Sequence, residues 1–201
     1  MKKLSSLLFI SLFMISISCD DNSTDGGYYT NRLIPFKLNN SWEYVHFIYD
    51  TSGGILGQNT HLTKVIKDTV ISKTHFYAYG NWGDYYTTNG DGVWFYLFYQ
   101  NGTEEHYLYY KYPCKTNDTY SFPFGRPPAI VTVLSTNKSV QVEAGTYSCI
   151  LYRFDLEGTD SYSNFYISPG IGIVKTEHYQ TSSHDKIYKS SEERLLSYQF
   201  N

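Results

Sequence analysis

Histidine, carboxylate and amide side chains are the residues of this chain that could carry chemistry, but their spacing matches no motif. The two glutamates Glu104 and Glu105 are adjacent in a predicted strand, so they point to opposite faces and cannot act as a paired acid and base. Asp84, Asn89 and Asp91 could be calcium ligands, yet Asn-Gly-Asp-Gly is explained by a hairpin turn. The six histidines, none at ligand spacing from another histidine or a cysteine, are at positions 46, 61, 75, 106, 178 and 184.

The sequence also contains no nucleophile elbow, zinc-protease helix motif, Cys-x-x-Cys or phosphate-binding glycine loop. We therefore predict that the protein is not an enzyme and carries neither a metal nor a cofactor. Each histidine is expected to be a surface or cross-strand residue.

Aromatic side chains offer a different chemistry, which is binding. The chain contains 22 Tyr, 12 Phe and 3 Trp, or 18% aromatic residues. Sugars stack their C–H faces on such rings while polar neighbours bind the hydroxyls, and an apolar ligand could instead fill the mouth of a barrel. The alternative is that the rings are cross-strand packing pairs. The predicted ligand-binding residues are Trp82, Tyr85, Tyr86, Trp94, Tyr96, Tyr107 and Tyr109.

Short strands separated by glycine, asparagine, aspartate and proline must position these rings. They predict an all-β fold, an antiparallel meander whose curved sheet closes into a barrel or half-barrel, with little or no helix apart from the signal peptide. One helical turn could precede the last strand, since Ser190 and Glu193 could form a capping box. The predicted strands are 41–50, 60–71, 73–79, 84–88, 92–99, 103–112, 129–135, 138–143, 145–156, 161–168, 171–179, and 186–189 with 193–200.

The segment 92–99 is apolar or aromatic on both faces, so we expect a second layer, a closed barrel or a ligand to cover its outer face. About 170 residues follow the amino-terminal segments, which is the length of a single domain. We therefore predict one β-rich domain over residues 32–201.

The amino end carries a positively charged start followed by an apolar run too short to span a bilayer. Its end, Ser16-Ile17-Ser18-Cys19, resembles the lipobox of bacterial lipoproteins, with Ser16 where leucine is usual. The resemblance implies a signal peptide over residues 1–18 and acylation of Cys19, followed by a flexible acidic tether over residues 19–31. Ordinary secretion would free the same Cys19.

Acylation predicts a lipid-anchored protein of the cell envelope, with the lipid bilayer as a partner through Cys19. The acidic residues after Cys19 resemble an export signal to the outer membrane, which favours surface exposure over the periplasmic face. The chain has 16 Lys and Arg against 19 Asp and Glu. Cleavage of the signal peptide takes away Lys2 and Lys3 and no acidic residue, so the mature chain is more negative. Nucleic acid and anionic headgroups are therefore unexpected partners. A glycan, an apolar ligand or another envelope protein remain as candidates.

Cys114 and Cys149 remain after acylation of Cys19, and an oxidising compartment would allow them to pair. Cys149 lies inside an apolar strand, so it can equally be a small core residue. We favour free thiols.

Three segments resemble a broad group of uncharacterised bacterial lipoproteins. Residues 35–44 are similar to their Pro-Leu-x-x-Gly-Asn-x-Trp-x-Tyr opening, with Asn39 in place of glycine. Residues 142–149 are similar to Val-x-Ala-Gly-Thr-Phe-x-Cys, and residues 166–175 to Tyr-x-x-Pro-Gly-Val-Gly-x-Val-Lys. The resemblance implies a shared antiparallel sheet, with no reaction attached to it.

Overall fold

The computed structural model describes residues 32–71, 73–80, 84–99, 102–123 and 127–201. The predicted signal peptide, Cys19 and the tether lie outside these residues. The described part contains twelve antiparallel strands and no helix. The strands are β1 (Ser41–Tyr49), β2 (Ile55–Ile71), β3 (Thr74–Tyr79), β4 (Tyr85–Asn89), β5 (Gly92–Phe98), β6 (Glu104–Lys111), β7 (Thr119–Phe122), β8 (Ala129–Val142), β9 (Gly145–Leu156), β10 (Tyr162–Ser168), β11 (Gly172–Thr181) and β12 (Ile187–Gln199).

All twelve strands form one sheet in the order β6-β5-β4-β3-β2-β1-β12-β11-β10-β9-β8-β7. Every neighbour in this order is also a neighbour in sequence, except that β1 pairs with β12, as in Trp42 opposite Tyr198. The predicted antiparallel meander is confirmed. The first and last strands of the chain lie at the middle of the sheet, and its two ends are β6 and β7.

The sheet curves until β6 and β7 meet, which makes a nearly closed barrel. Here a tyrosine hydroxyl replaces a strand-to-strand ladder. The Tyr120 hydroxyl on β7 donates to the Tyr109 carbonyl at 2.8 Å and accepts the Lys111 N–H at 3.3 Å. From β9, the Tyr152 hydroxyl donates to the Lys111 carbonyl at 2.7 Å. The backbone of an edge strand needs partners, and side chains supply them here.

The segment before β1 closes one end of the barrel. Leu33, Ile34 and Phe36 are at most 3% exposed and belong to the main hydrophobic cluster. The side chain of Asn40 donates to the Pro35 carbonyl at 2.7 Å, which holds this segment against the start of β1. At Asn39 the backbone has φ of 73°, a left-handed conformation that asparagine tolerates better than most residues.

Several predicted boundaries were wrong, for identifiable reasons. The predicted strands 129–135 and 138–143 are one strand, β8, whose register shifts after Val133 and again after Ser135 interrupt the alternation of side chains. Strand β2 begins at Ile55 instead of residue 60, and β7 was not predicted because it has only four residues.

The helical turn considered at Ser190–Leu196 is also absent, since β12 runs unbroken from Ile187 to Gln199. Glu192 and Arg194 lie two residues apart on one face of this strand, opposite Glu177 and Lys175 of β11. Pairing with β11 and β1 outweighs the local capping signal.

Candidate functional site

The seven predicted ligand-binding aromatics divide between the two faces of the sheet. Tyr86, Tyr107 and Tyr109 face the barrel interior, whereas Tyr85, Trp94 and Tyr96 lie on the outer face. Trp82 lies outside the described residues. The prediction treated these residues as one surface, but alternation along β4, β5 and β6 separates them.

The interior group packs into the barrel core. Tyr109 contacts Tyr86, with ring centroids 6.1 Å apart, and Phe122, at 5.0 Å. A cavity of about 150 Å³ remains among these rings, Phe95 and Asp84. Burial raises the pKa of the Asp84 carboxyl. Cavities that bind small ligands generally have volumes of about 300–1,000 Å³, so this space is too small for an extended apolar ligand.

The outer group belongs to a strip of rings that crosses β3 to β6. The outer aromatic strip consists of Phe76, Tyr85, Trp94, Tyr96, Phe98 and His106. Tyr96 stacks on its cross-strand partner His106, with centroids 5.1 Å apart at an interplanar angle of 19°. Since Phe98 stacks on the same ring at 6.1 Å, the ring faces of Tyr96 are turned toward protein neighbours. In this part of the strip, Tyr96 packs against a ring of the neighbouring strand β6 and a ring of its own strand.

Trp94 at the end of the strip is arranged differently, because its half-buried indole lines a pocket of about 310 Å³. The indole N–H donates to Asn89 Oδ1 at 3.0 Å, and the same oxygen accepts the Asp91 N–H at 2.8 Å. The predicted Asn-Gly hairpin turn therefore also fixes the orientation of the tryptophan ring. The other residues of the pocket are Gly90, Asp91, Leu108, Lys111 and Pro113.

Polar groups of both charges flank the Trp94 ring. Asp91 provides carboxylate acceptors, and Lys111 provides an ammonium group that lies 2.9 Å from Asp118. The hydrogen bond from Lys111 lowers the pKa of the Asp118 carboxyl. Sequence reasoning missed Leu108, Lys111 and Pro113, because they come from β6 and the connection after it. Only the pairing of β5 with β6 brings them beside Trp94.

Five of the six histidines lie in strands, and His184 lies in the exposed turn between β11 and β12. His61 stacks on its partner Tyr44, and His178 lies 2.7 Å from Ser163 Oγ on β10. Burial lowers the pKa of His178. A lowered pKa favours the neutral imidazole at pH 7, and one ring nitrogen of that form can accept a hydrogen bond from the serine hydroxyl. The contact satisfies two polar groups within the barrel wall.

A network of charges lies on the outer face of β11 and β12. Glu177 and Glu192 are directly opposite each other and are only 7% and 0% exposed. Burial raises the pKa of Glu192, but hydrogen bonds from Lys189 and Arg194 outweigh burial, so its pKa is lowered. Lys175 lies 2.8 Å from Glu177 and 3.6 Å from Glu192. The cations thus allow two carboxylates to stay ionised side by side.

Within the described ranges, no three histidine, cysteine or carboxylate side chains are grouped so that they could hold a metal ion. The thiols of Cys114 and Cys149 are free, and burial raises the pKa of Cys149 to about 12. Nor does the part of the chain that the structure covers include a helix long and apolar enough to cross a membrane.

Comparison with known proteins gives structural likenesses only. No protein-family model matches the chain, and no curated protein sequence matches it. A crystal structure assigned as a lipoprotein of Parabacteroides distasonis shares 16% identity, with a TM-score of 0.44 over 84% of this chain and 99% of that one. A second, assigned as an exported protein with a YmcC-like fold from Bacteroides fragilis, shares 14% identity, with a TM-score of 0.45 over 83% of this chain and 98% of that one.

Proposed function

We propose that this protein is a lipid-anchored lipoprotein of the cell envelope that binds a glycan through the Trp94 pocket and catalyses no reaction. Acylated Cys19 attaches it to the bilayer, with the domain displayed on the outer membrane surface. The observation that carries the binding role is the Trp94 indole, which is held by Asn89 at the wall of a pocket.

The geometry favours a sugar over an apolar molecule. An apolar ligand would need a dry cavity, but the interior cavity among the described residues beside Tyr109 measures only about 150 Å³. The Trp94 pocket is about twice that volume and combines a flat ring with a carboxylate and an ammonium group. This combination suits a ligand with C–H faces and hydroxyl groups.

Glycan binding can be tested on an array of bacterial surface glycans with the purified protein. Trp94→Ala should abolish binding, because stacking on the indole is lost, while the fold remains intact. Tyr198→Ala is the matched control, since Tyr198 is an exposed aromatic residue on β12, away from the pocket. Equal binding by wild type and Trp94→Ala would exclude the pocket. In that case, a partner recovered by pull-down from solubilised envelopes would favour the assembly role.

Anchorage is tested separately by fractionation of cells. Cys19→Ala should release the protein into the soluble fraction, because no acyl chain can be attached. Protease treatment of intact cells then distinguishes surface display, in which the wild-type domain is degraded, from a periplasmic location. A Cys19→Ala protein that stays with the membrane would contradict lipid anchorage without bearing on the Trp94 pocket.

A further inference from the structure

A second pocket, of about 460 Å³, lies at the end of the barrel where the chain enters β1. Two cationic side chains and a histidine line it, together with threonine hydroxyls, and none of its described lining residues is a carboxylate. The residues that matter for binding are Arg32, Lys73, His75, Thr74, Thr87 and Thr88. The described lining of the pocket therefore carries positive charge, although the net charge of the whole chain is negative.

Arg32 and Lys73 are far apart in the sequence, which is why no basic cluster is visible there. Arg32 reaches the pocket from the segment that closes the barrel, where its carbonyl accepts the Gly170 N–H at 2.8 Å. Lys73 lies in the turn between β2 and β3, with φ of 68°. Since both positions are held by backbone structure, the two positive charges converge on one space.

The lining suits an anion with several oxygen acceptors. Guanidinium and ammonium groups form charge-assisted hydrogen bonds with phosphate oxygens, and threonine hydroxyls can add neutral ones. The Thr87 hydroxyl already donates to the His75 carbonyl at 2.6 Å, which leaves Thr74 and Thr88 as hydroxyl donors. His75 Nδ1 lies 3.3 Å from Asp68, so that carboxylate partly offsets the positive charge at the edge of the pocket.

The position of the pocket indicates where the anion comes from. Because the strands alternate in direction, the turn at Lys73, the turn before β5 and the start of β1 all lie at the same end of the barrel. If Cys19 anchors the protein, residues 19–31 span at most about 45 Å between the bilayer and Arg32. On that premise, the end that carries this pocket is the end to which the tether is attached.

We infer that the pocket between Arg32, Lys73 and His75 binds a phosphate-bearing group, and that lipid headgroups of the anchoring membrane supply it. The orientation toward the bilayer rests on the proposed anchorage at Cys19, whereas the recognition of phosphate does not. Binding orients the barrel with its closed end toward the membrane surface.

The experiment uses the lipid-free chain carrying Cys19→Ala and two probes, namely inorganic phosphate by calorimetry and vesicles by co-sedimentation. The vesicles are made of phosphatidylcholine alone or with phosphatidylglycerol. Lys73→Asn removes one charge and keeps a residue that tolerates the positive φ, so it should weaken phosphate binding about ten-fold. Lys138→Asn, at an exposed lysine of β8, is the matched control and should bind like the parent.

The proposal would be supported if the parent protein bound both phosphate and anionic vesicles, and if Lys73→Asn but not Lys138→Asn weakened both. That result would also indicate that a lipid headgroup supplies the phosphate. Binding of phosphate without vesicles would support the anion site but overturn its orientation toward the membrane. Failure to bind either probe, or equal weakening by Lys138→Asn, would overturn the site. Trp94→Ala should leave phosphate binding unchanged, so failure of the glycan proposal is distinguishable from failure of this one.

Discussion

Removal of one hydroxyl at Tyr120 should weaken the closure of the barrel. Tyr120→Phe deletes the hydrogen bond to the Tyr109 carbonyl and the one from the Lys111 N–H, at 2.8 and 3.3 Å. An intramolecular hydrogen bond contributes about 0.5–1.5 kcal/mol, and a buried group left without a partner costs about 1–3 kcal/mol. Since Tyr120 is half-buried, water can replace part of the loss, and we expect a decrease of about 2–3 kcal/mol in the free energy of unfolding.

Urea unfolding measures this decrease. With a slope of about 2 kcal/mol per molar urea, the midpoint should fall by about 1 M or slightly more while the slope itself stays constant. Tyr99→Phe is the matched control, because its exposed hydroxyl donates only to the exposed Glu105 side chain, and we expect a change below about 0.5 kcal/mol. The Lys111 amide should also lose protection against hydrogen exchange in Tyr120→Phe.

Tyr152 provides a second test of the barrel closure, because its hydroxyl also binds the backbone of Lys111. Tyr152→Phe removes the hydrogen bond to the Lys111 carbonyl, so the two hydroxyls share Lys111 as a partner. The double variant should therefore deviate from the sum of the single changes by more than about 0.5 kcal/mol. If Tyr120→Phe matched wild type in both urea midpoint and exchange at Lys111, the hydroxyl could not be what joins β6 to β7.

Two further outcomes are expected. The lowered pKa of Glu192 means that its ionised form stabilises the fold above the ordinary value of 4.5, and this stabilisation disappears as the pH falls. The Tm of wild type should therefore drop steeply below about pH 4.5. Glu192→Gln should be less stable at pH 7, but its Tm should fall less steeply as the pH decreases. Equal decreases of Tm in the two proteins would contradict a lowered pKa of Glu192. In native protein, a thiol reagent should modify the partly exposed Cys114. Cys149 is 0% exposed and should react only after denaturation. If only one cysteine reacted after denaturation, the second thiol would be blocked.

Local patterns in the sequence were sufficient to predict the all-β meander, because alternation and turn residues are properties of neighbouring positions. The Asn-Gly turn before β5 and the left-handed Asn39 are examples. The continuous β8 was missed because its bulges shift the alternation, and β7 because it holds only four residues. The bulges of β8 arise in its pairing with β9, and β7 is held by its pairing with β8, so both features depend on strand pairing and not on local alternation.

The candidate site was predictable only in part. Trp94 was predicted as a ligand-binding residue and lies half-buried beside a pocket, while its binding role stays a prediction. Tyr86 and Tyr109 were placed in the same set, but they face the core, because the sequence alone does not reveal which face of a doubly apolar strand turns inward. The convergence of Arg32 and Lys73 could not be predicted at all, since it requires the closed end of the barrel.

The pairing of β1 with β12 determines when the domain can be completed. Residues 42 and 198 face each other, so the central ladder cannot form until β12 has been synthesised. Before that point, β2 is the only strand with which β1 can pair, and contacts as distant as those between β1 and β12 form slowly. A circular permutant that joins residue 201 to residue 32 and begins between β6 and β7 would place every pair of strands in direct succession, and it should fold faster than the natural order.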